Sequence, residues 1–88
     1  MKLKQLPLSE RPRERLFREG ATALSLAELI AILLRTGSEN KDVLGLSGEL
    51  LHLFGGLKGI SKASISEILQ VKGMGKAKVA VLVAALEL

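Results

Sequence analysis

The stretch of this sequence best suited to chemistry is Val71-Lys72-Gly73-Met74-Gly75-Lys76-Ala77-Lys78. Two glycines one residue apart permit positive φ and leave no side chain to obstruct a close ligand. Met74 between them is expected to point inward and, with Val71, to anchor a tight turn. The apolar segment around Ile68 and Leu69 leads into that turn, and a helix is expected to leave it near Lys76. The first N–H groups of a helix have no partner within it. Together with the positive end of the helix dipole they make an anion site, for which phosphate is the natural occupant. Lys72, Lys76 and Lys78 surround it with positive charge. Such a site reads no base edges, so it would hold a duplex without specifying sequence. A lone Gly-x-Gly is more often an ordinary turn between helices. The flanking helices, the apolar residue between the glycines and three lysines together favour phosphate binding by Lys72, Gly73, Gly75, Lys76 and Lys78.

Other chemistry finds little support. The chain has no Cys, which excludes disulfides, thiolate metal sites and thiol catalysis. His52 is the only histidine, set between Leu51 and Leu53, and it reads as an exposed or boundary residue of a helix. The carboxylates form no catalytic pair, and Glu28 and Glu67 already serve as helix-capping candidates. No catalytic residue and no metal ligand is therefore assigned, and the expectation is a protein that is not an enzyme. The net charge of +4 is unevenly distributed, with basic ends and an acidic middle. Charge of this kind fits nucleic acid, although solvated Lys and Arg on helix surfaces account for it equally well. Among the arginines of Arg11–Arg18 the solvated reading is preferred. With Phe17 and Phe54 the only aromatic residues, and both expected in the core, there is no platform for stacking unpaired bases. Any nucleic acid bound here should be held by its backbone. No apolar run approaches the roughly 18 residues needed to cross a bilayer, and no signal peptide is evident, so a cytoplasmic protein without a membrane partner is expected.

The elements that must position the turn follow from composition and end signals. Leu and Ala outnumber Val, Ile and Thr, which favours helix over strand. Five helices are expected. Ser9 caps the first, running to Arg18 and closed by Gly20. Ser25 and Glu28 form a capping box for the second, which runs to about Arg35 with Leu26, Leu29, Ile30, Leu33 and Leu34 at helical spacing and has Gly37 as its stop signal. Asp42 or Asn40 caps the third, which runs to Leu53 over Val43, Leu46, Leu50 and Leu53. Gly45 and Gly48 inside it suggest close approach of a neighbouring helix. Gly55-Gly56 ends it, and Leu57-Lys58-Gly59-Ile60 is expected to be a connection. Ser64 and Glu67 repeat the capping box before a short fourth helix. The last helix carries an unbroken apolar run from Val79 to Leu86, which implies a central position or a covering partner.

The glycine turn and its flanks resemble a helix-hairpin-helix motif, a DNA-binding unit that does not read sequence. Resemblance then extends along the chain. Leu6-Pro7 with Glu10–Leu16, Leu24-Ser25, Glu28-Leu29, Leu33–Gly37, Phe54–Leu57 and Lys72–Gly75 are similar, in order, to the N-terminal region of bacterial RadC-like proteins. Leu26 and Gly48 depart from that pattern. The resemblance implies an all-α, compact five-helix tandem helix-hairpin-helix-like domain over residues 1–88. Within it, 1–20 would be a basic N-terminal helix, 25–53 a degenerate first hairpin and 64–87 the intact second one. Ser38–Lys41, which lacks Gly-x-Gly and includes an acid, is not assigned to phosphate. The implied function is a DNA-backbone-binding module of a DNA repair-associated protein, with duplex or branched DNA as partner. No cofactor is implied beyond the option of a monovalent cation at the hairpin. The family's other half is JAB/MPN-type metallopeptidase-like, and nothing in this sequence corresponds to it. The alternative is a protein-interaction or regulatory module packing on a partner or on that other half.

Overall fold

A computed structural model of the chain describes residues 11–88. The described residues form six α-helices and one 3₁₀ turn: α1 (Pro12–Glu19), the 3₁₀ turn (Ala21–Ala23), α2 (Leu26–Leu34), α3 (Val43–Phe54), α4 (Leu57–Lys62), α5 (Ile65–Leu69) and α6 (Lys76–Glu87). No strand occurs among them, and the all-α class expected from the Leu- and Ala-rich composition holds. The proposed cap Ser9 and the Leu6-Pro7 block lie outside the described residues. On the described side Arg11 occupies the N-cap of α1 without a side-chain cap bond, and Pro12 takes the first helical position, where its missing N–H is no loss.

End signals acted largely as their chemistry dictates. The Ser25 and Glu28 side chains cap α2 reciprocally, with Glu28 N–H donating to Ser25 Oγ at 3.1 Å and Ser25 N–H to Glu28 Oε1 at 2.9 Å. Ser64 and Glu67 do the same for α5 at 3.0 and 2.8 Å. Asp42 caps α3 by accepting from Gly45 N–H at 2.7 Å. Gly55, left-handed at φ 75°, closes α3.

Several expectations need correction. First, the connection after Gly56 is itself a helix, so the described residues hold six α-helices where five were expected. Burying Ile60, which is 1% exposed, contributes about 1.5–3 kcal/mol. That outweighs the roughly 1 kcal/mol that a helical glycine costs. Gly59 is needed there sterically, because a β-carbon would collide with the Phe54 carbonyl. Second, α2 ends at Leu34, and the residue that turns the chain is Arg35 at φ 71°, not Gly37. Third, Phe17 is 79% exposed and not in the core, whereas Phe54 is half-buried against it. Close helix approach does not explain the glycines of α3 either. Gly48 has open space around it, and Gly45 faces only Asp42 and Lys41 at its own helix start.

The core is a single cluster built from Ile30, Ala31 and Leu34 of α2, Val43, Leu46 and Leu50 of α3, Ile60, Ile68, Met74, and Val79 and Leu82 of α6. Leu26, Leu33 and Leu53, at helical spacing with the buried leucines, remain exposed at the edges. Helix α2 packs most extensively on α3 and also on α6, so α6 is held against the α2–α3 pair. Arg15 of α1 locks α1 onto α2 through Glu28 at 2.6 Å, while also pairing with Glu19 at 3.1 Å.

Candidate functional site

Between α5 and α6 the backbone makes a chain of tight turns. Gln70 N–H donates to Glu67 O at 3.2 Å, Val71 N–H to Ile68 O at 3.1 Å and Met74 N–H to Val71 O at 3.0 Å. The last of these closes a β-turn over residues 71–74 with Gly73 third, at φ 99°. A β-turn with positive φ at its third residue strongly favours glycine there. Space makes the same demand, because a β-carbon on Gly73 would meet Ser38 Cβ at 3.0 Å and Leu46 Cδ1 at 3.3 Å. Met74 is buried at 4% exposure, and Val71 packs at the margin of the core, so both residues are seated inward.

Gly75 differs from what its sequence context predicts. It is extended, at φ −91° and ψ 178°, and serves as N-cap of α6. Any residue adopts that conformation, and a β-carbon there would meet nothing within 4 Å. The turn therefore does not need glycine at 75 for its shape. What glycine provides is an uncapped helix start. With no side chain to accept them, the N–H groups of Gly75, Lys76, Ala77 and Lys78 make no hydrogen bond among the described residues, and the first intrahelical bond runs from Val79 N–H to Gly75 O at 3.0 Å. Gly75, Lys76 and Ala77 are exposed. At the starts of α2, α3 and α5 the side chains of Ser25, Asp42 and Ser64 each accept one such N–H, whereas α1 and α4, like α6, have no side-chain cap.

The three lysines fall into two groups. Lys72 and Lys76 are exposed and form no ion pair among the described residues. Lys78 is half-buried, and its Nζ donates to Thr36 Oγ1 at 2.7 Å, across 42 residues of sequence. That bond joins the start of α6 to the loop after α2. No residue-type signal foretold it, because it depends on how α6 docks against α2. The same holds for Arg35, whose positive φ accompanies a Thr36 N–H bond to Leu34 O at 2.8 Å. The 38–41 loop closes on itself: Ser38 N–H donates to Lys41 O at 2.8 Å, Ser38 Oγ accepts from Lys41 N–H at 3.2 Å, and the Lys41 ammonium pairs with Glu49.

Among the described residues no three His, Cys, Asp or Glu side chains gather as a metal site, and His52 is exposed on α3. No described helix is long and apolar enough to cross a membrane. The arrangement offers a cluster of exposed backbone donors with two unpaired ammonium groups nearby, which is a geometry for holding an anion.

Comparison with known proteins places this chain in a family. The model described as UPF0758 N-terminal matches residues 3–80. A UPF0758 protein of Bacillus pumilus is 50% identical over 88 residues, covering all of this chain and 39% of the relative. YsxA of Bacillus subtilis, also a UPF0758 protein, is 47% identical over 88 residues, covering 38% of its length. A UPF0758 protein of Variovorax paradoxus is 53% identical over 89 residues, covering 40% of its length. The chain thus spans about two fifths of the curated relatives it matches. No solved structure matches it. A family model that accounts for most of the chain, with relatives about half identical along all of it, agrees with the resemblance carried by the sequence motifs: the protein belongs to the UPF0758, RadC-like family and corresponds to its N-terminal domain.

Proposed function

We propose that this domain binds DNA through its phosphate backbone, without reading sequence, and that the α5–α6 hairpin is the point of contact. The observation that carries this reading is the uncapped start of α6, where the amides of Gly75 to Lys78 are left open beside Lys72 and Lys76. Gly73 shapes the turn, Val71 and Met74 seat it, and Lys78 contributes charge while tied to Thr36. On this reading the domain is a tandem helix-hairpin-helix-like unit, with α2–α3 as the degenerate hairpin and α5–α6 as the intact one, and it needs no cofactor. The role in DNA repair and the cytoplasmic location expected from the resemblance belong to the same proposal. A contact of two or three phosphates corresponds to a Kd on the order of 10⁻⁴ to 10⁻⁶ M at physiological salt.

Gly75→Asp tests this directly. The carboxylate would cap α6 and occupy the amides that DNA is proposed to use. Because position 75 is extended and open, the fold accommodates the change. An aspartate cap in place of glycine, with its charge at the helix N-terminus, should stabilise the domain by about 0.5–1 kcal/mol. Thermal melting should therefore rise while duplex binding is lost. Full retention of binding in a stabilised Gly75→Asp domain would overturn the proposal.

A second reading has a specific observation behind it. Ile65 is 57% exposed and borders a shallow groove formed with Ile60, Ala63, Val83 and Leu86. This groove between α4, α5 and α6, which also includes Ser61 and Glu87, suits a protein partner or the remaining part of the longer relatives, and it shares no residue with the amides of residues 75–78.

A further inference from the structure

We infer that the DNA-contacting surface does not end at the α5–α6 turn but continues across Thr36 to Arg35 and Arg13, giving a second set of phosphate contacts on the α1–α2 side. The inference rests on the DNA-backbone reading and extends its footprint. Two surface grooves meet at Arg35 and Thr36. One, of about 270 Å³, lies between the end of α2 and the first turns of α6, where Ala77 and Lys78 form its wall. The other, of about 310 Å³, runs from Arg35 and Thr36 past Ile32 to the start of α1 at Arg11–Glu14. The Lys78–Thr36 hydrogen bond closes the seam between α6 and the shared rim, so the open amides and the arginines border one continuous surface.

The charge along this surface is lopsided. Among the described residues, Arg11, Arg13 and Arg35 line the second groove against Glu14 as the one acid. Arg13 and Arg35 are exposed and make no ion pair among the described residues. Arg15 and Lys41, by comparison, are neutralised by Glu28 and Glu49. Exposed lysines without an ion pair among the described residues also occur on α4, at Lys58 and Lys62, but Arg13 and Arg35 line a groove together with Thr36, which also borders the groove formed by Ala77 and Lys78. Arginine also suits the purpose, since its planar donors match phosphate oxygens in pairs. A backbone ligand that has reached Ala77 and Lys78 would therefore find two further cations along the same surface.

The test is the salt dependence of binding to a fluorescently labelled DNA duplex, measured on the 88-residue chain between 50 and 200 mM salt. With about two phosphates held at the turn and about two more by Arg13 and Arg35, affinity should fall about 150-fold across that range. An Arg13→Ala, Arg35→Gly double variant should lose affinity at 50 mM salt, and its fall across the range should shrink to about 12-fold. Glycine is chosen at 35 because the backbone there has positive φ. Circular dichroism confirms that each variant is folded. A double variant with unchanged affinity and salt dependence, beside a Gly75→Asp variant that no longer binds, would overturn the extension and leave the hairpin reading standing. Weakened binding in the double variant with full binding by Gly75→Asp would do the reverse. A wild-type chain that does not bind at 50 mM salt would overturn both.

Discussion

At the scale of single residues, the two glycines of the turn have separate tasks that the sequence presents as one motif. Gly73 is conformational: its φ of 99° strains any other residue, and a β-carbon there would press on Ser38 and Leu46. Gly73→Ala should therefore destabilise the domain by about 1–3 kcal/mol, measured by denaturant unfolding. Gly75 is extended and unobstructed, so what it contributes is the absence of a cap. Sequence alone could not separate them, because both were legible only as residues without side chains. Met74 and Val71 were legible, since an apolar residue within a polar turn has only the core to go to, and both are seated there. Arg35 was not, because nothing about an arginine marks it for positive φ; it makes the turn that ends α2, with its own N–H bonded to Ala31 O and Thr36 N–H to Leu34 O.

At the scale of elements, short-range polar chemistry was the most readable part of the chain. Both capping boxes and the Asp42 cap formed as their spacing implied, because each depends only on residues three apart. Helix α4 was read as a connection because Gly55, Gly56 and Gly59 look like breakers, while the burial of Ile60 that holds it is a tertiary effect. The capping boxes also set a pH dependence. Glu28 is held below the ordinary carboxylate value chiefly by the Ser25 amide that it accepts from, and then by Arg15. Glu67 is lowered by the Ser64 amide and hydroxyl. A carboxylate lowered in the folded state stabilises the fold at pH values above its unfolded pKa, and that stability disappears as pH falls through the lowered value. Melting temperature should accordingly be flat near neutrality and decline on acidification below the ordinary carboxylate range. In a Glu28→Gln, Glu67→Gln variant, which retains the capping geometry without the charge, the acid decline should be shallower; an unchanged decline would mean that these groups do not govern it.

At the scale of the whole molecule, the helical class and the residues of the turn could be read from the chain, but the surface that unites them could not. Leu46 and Leu50 are almost wholly buried as their spacing implied, and with Ile68 and Leu82 they belong to the one core cluster that joins α2, α3 and α6. Only that docking brings Thr36 to Lys78 and makes the end of α2 a neighbour of the start of α6. The UPF0758 relatives, more than twice as long as this chain, carry the domain with further sequence. Its own role therefore turns on whether the uncapped start of α6 engages phosphate. The most direct measurement is the backbone amide NMR spectrum of the 88-residue chain during titration with an unlabelled DNA duplex at low salt. Shifts concentrated at Gly73 to Lys78, fading as salt is raised, are the predicted result; a folded chain whose amides at 75 to 78 stay unmoved at saturating duplex would contradict it.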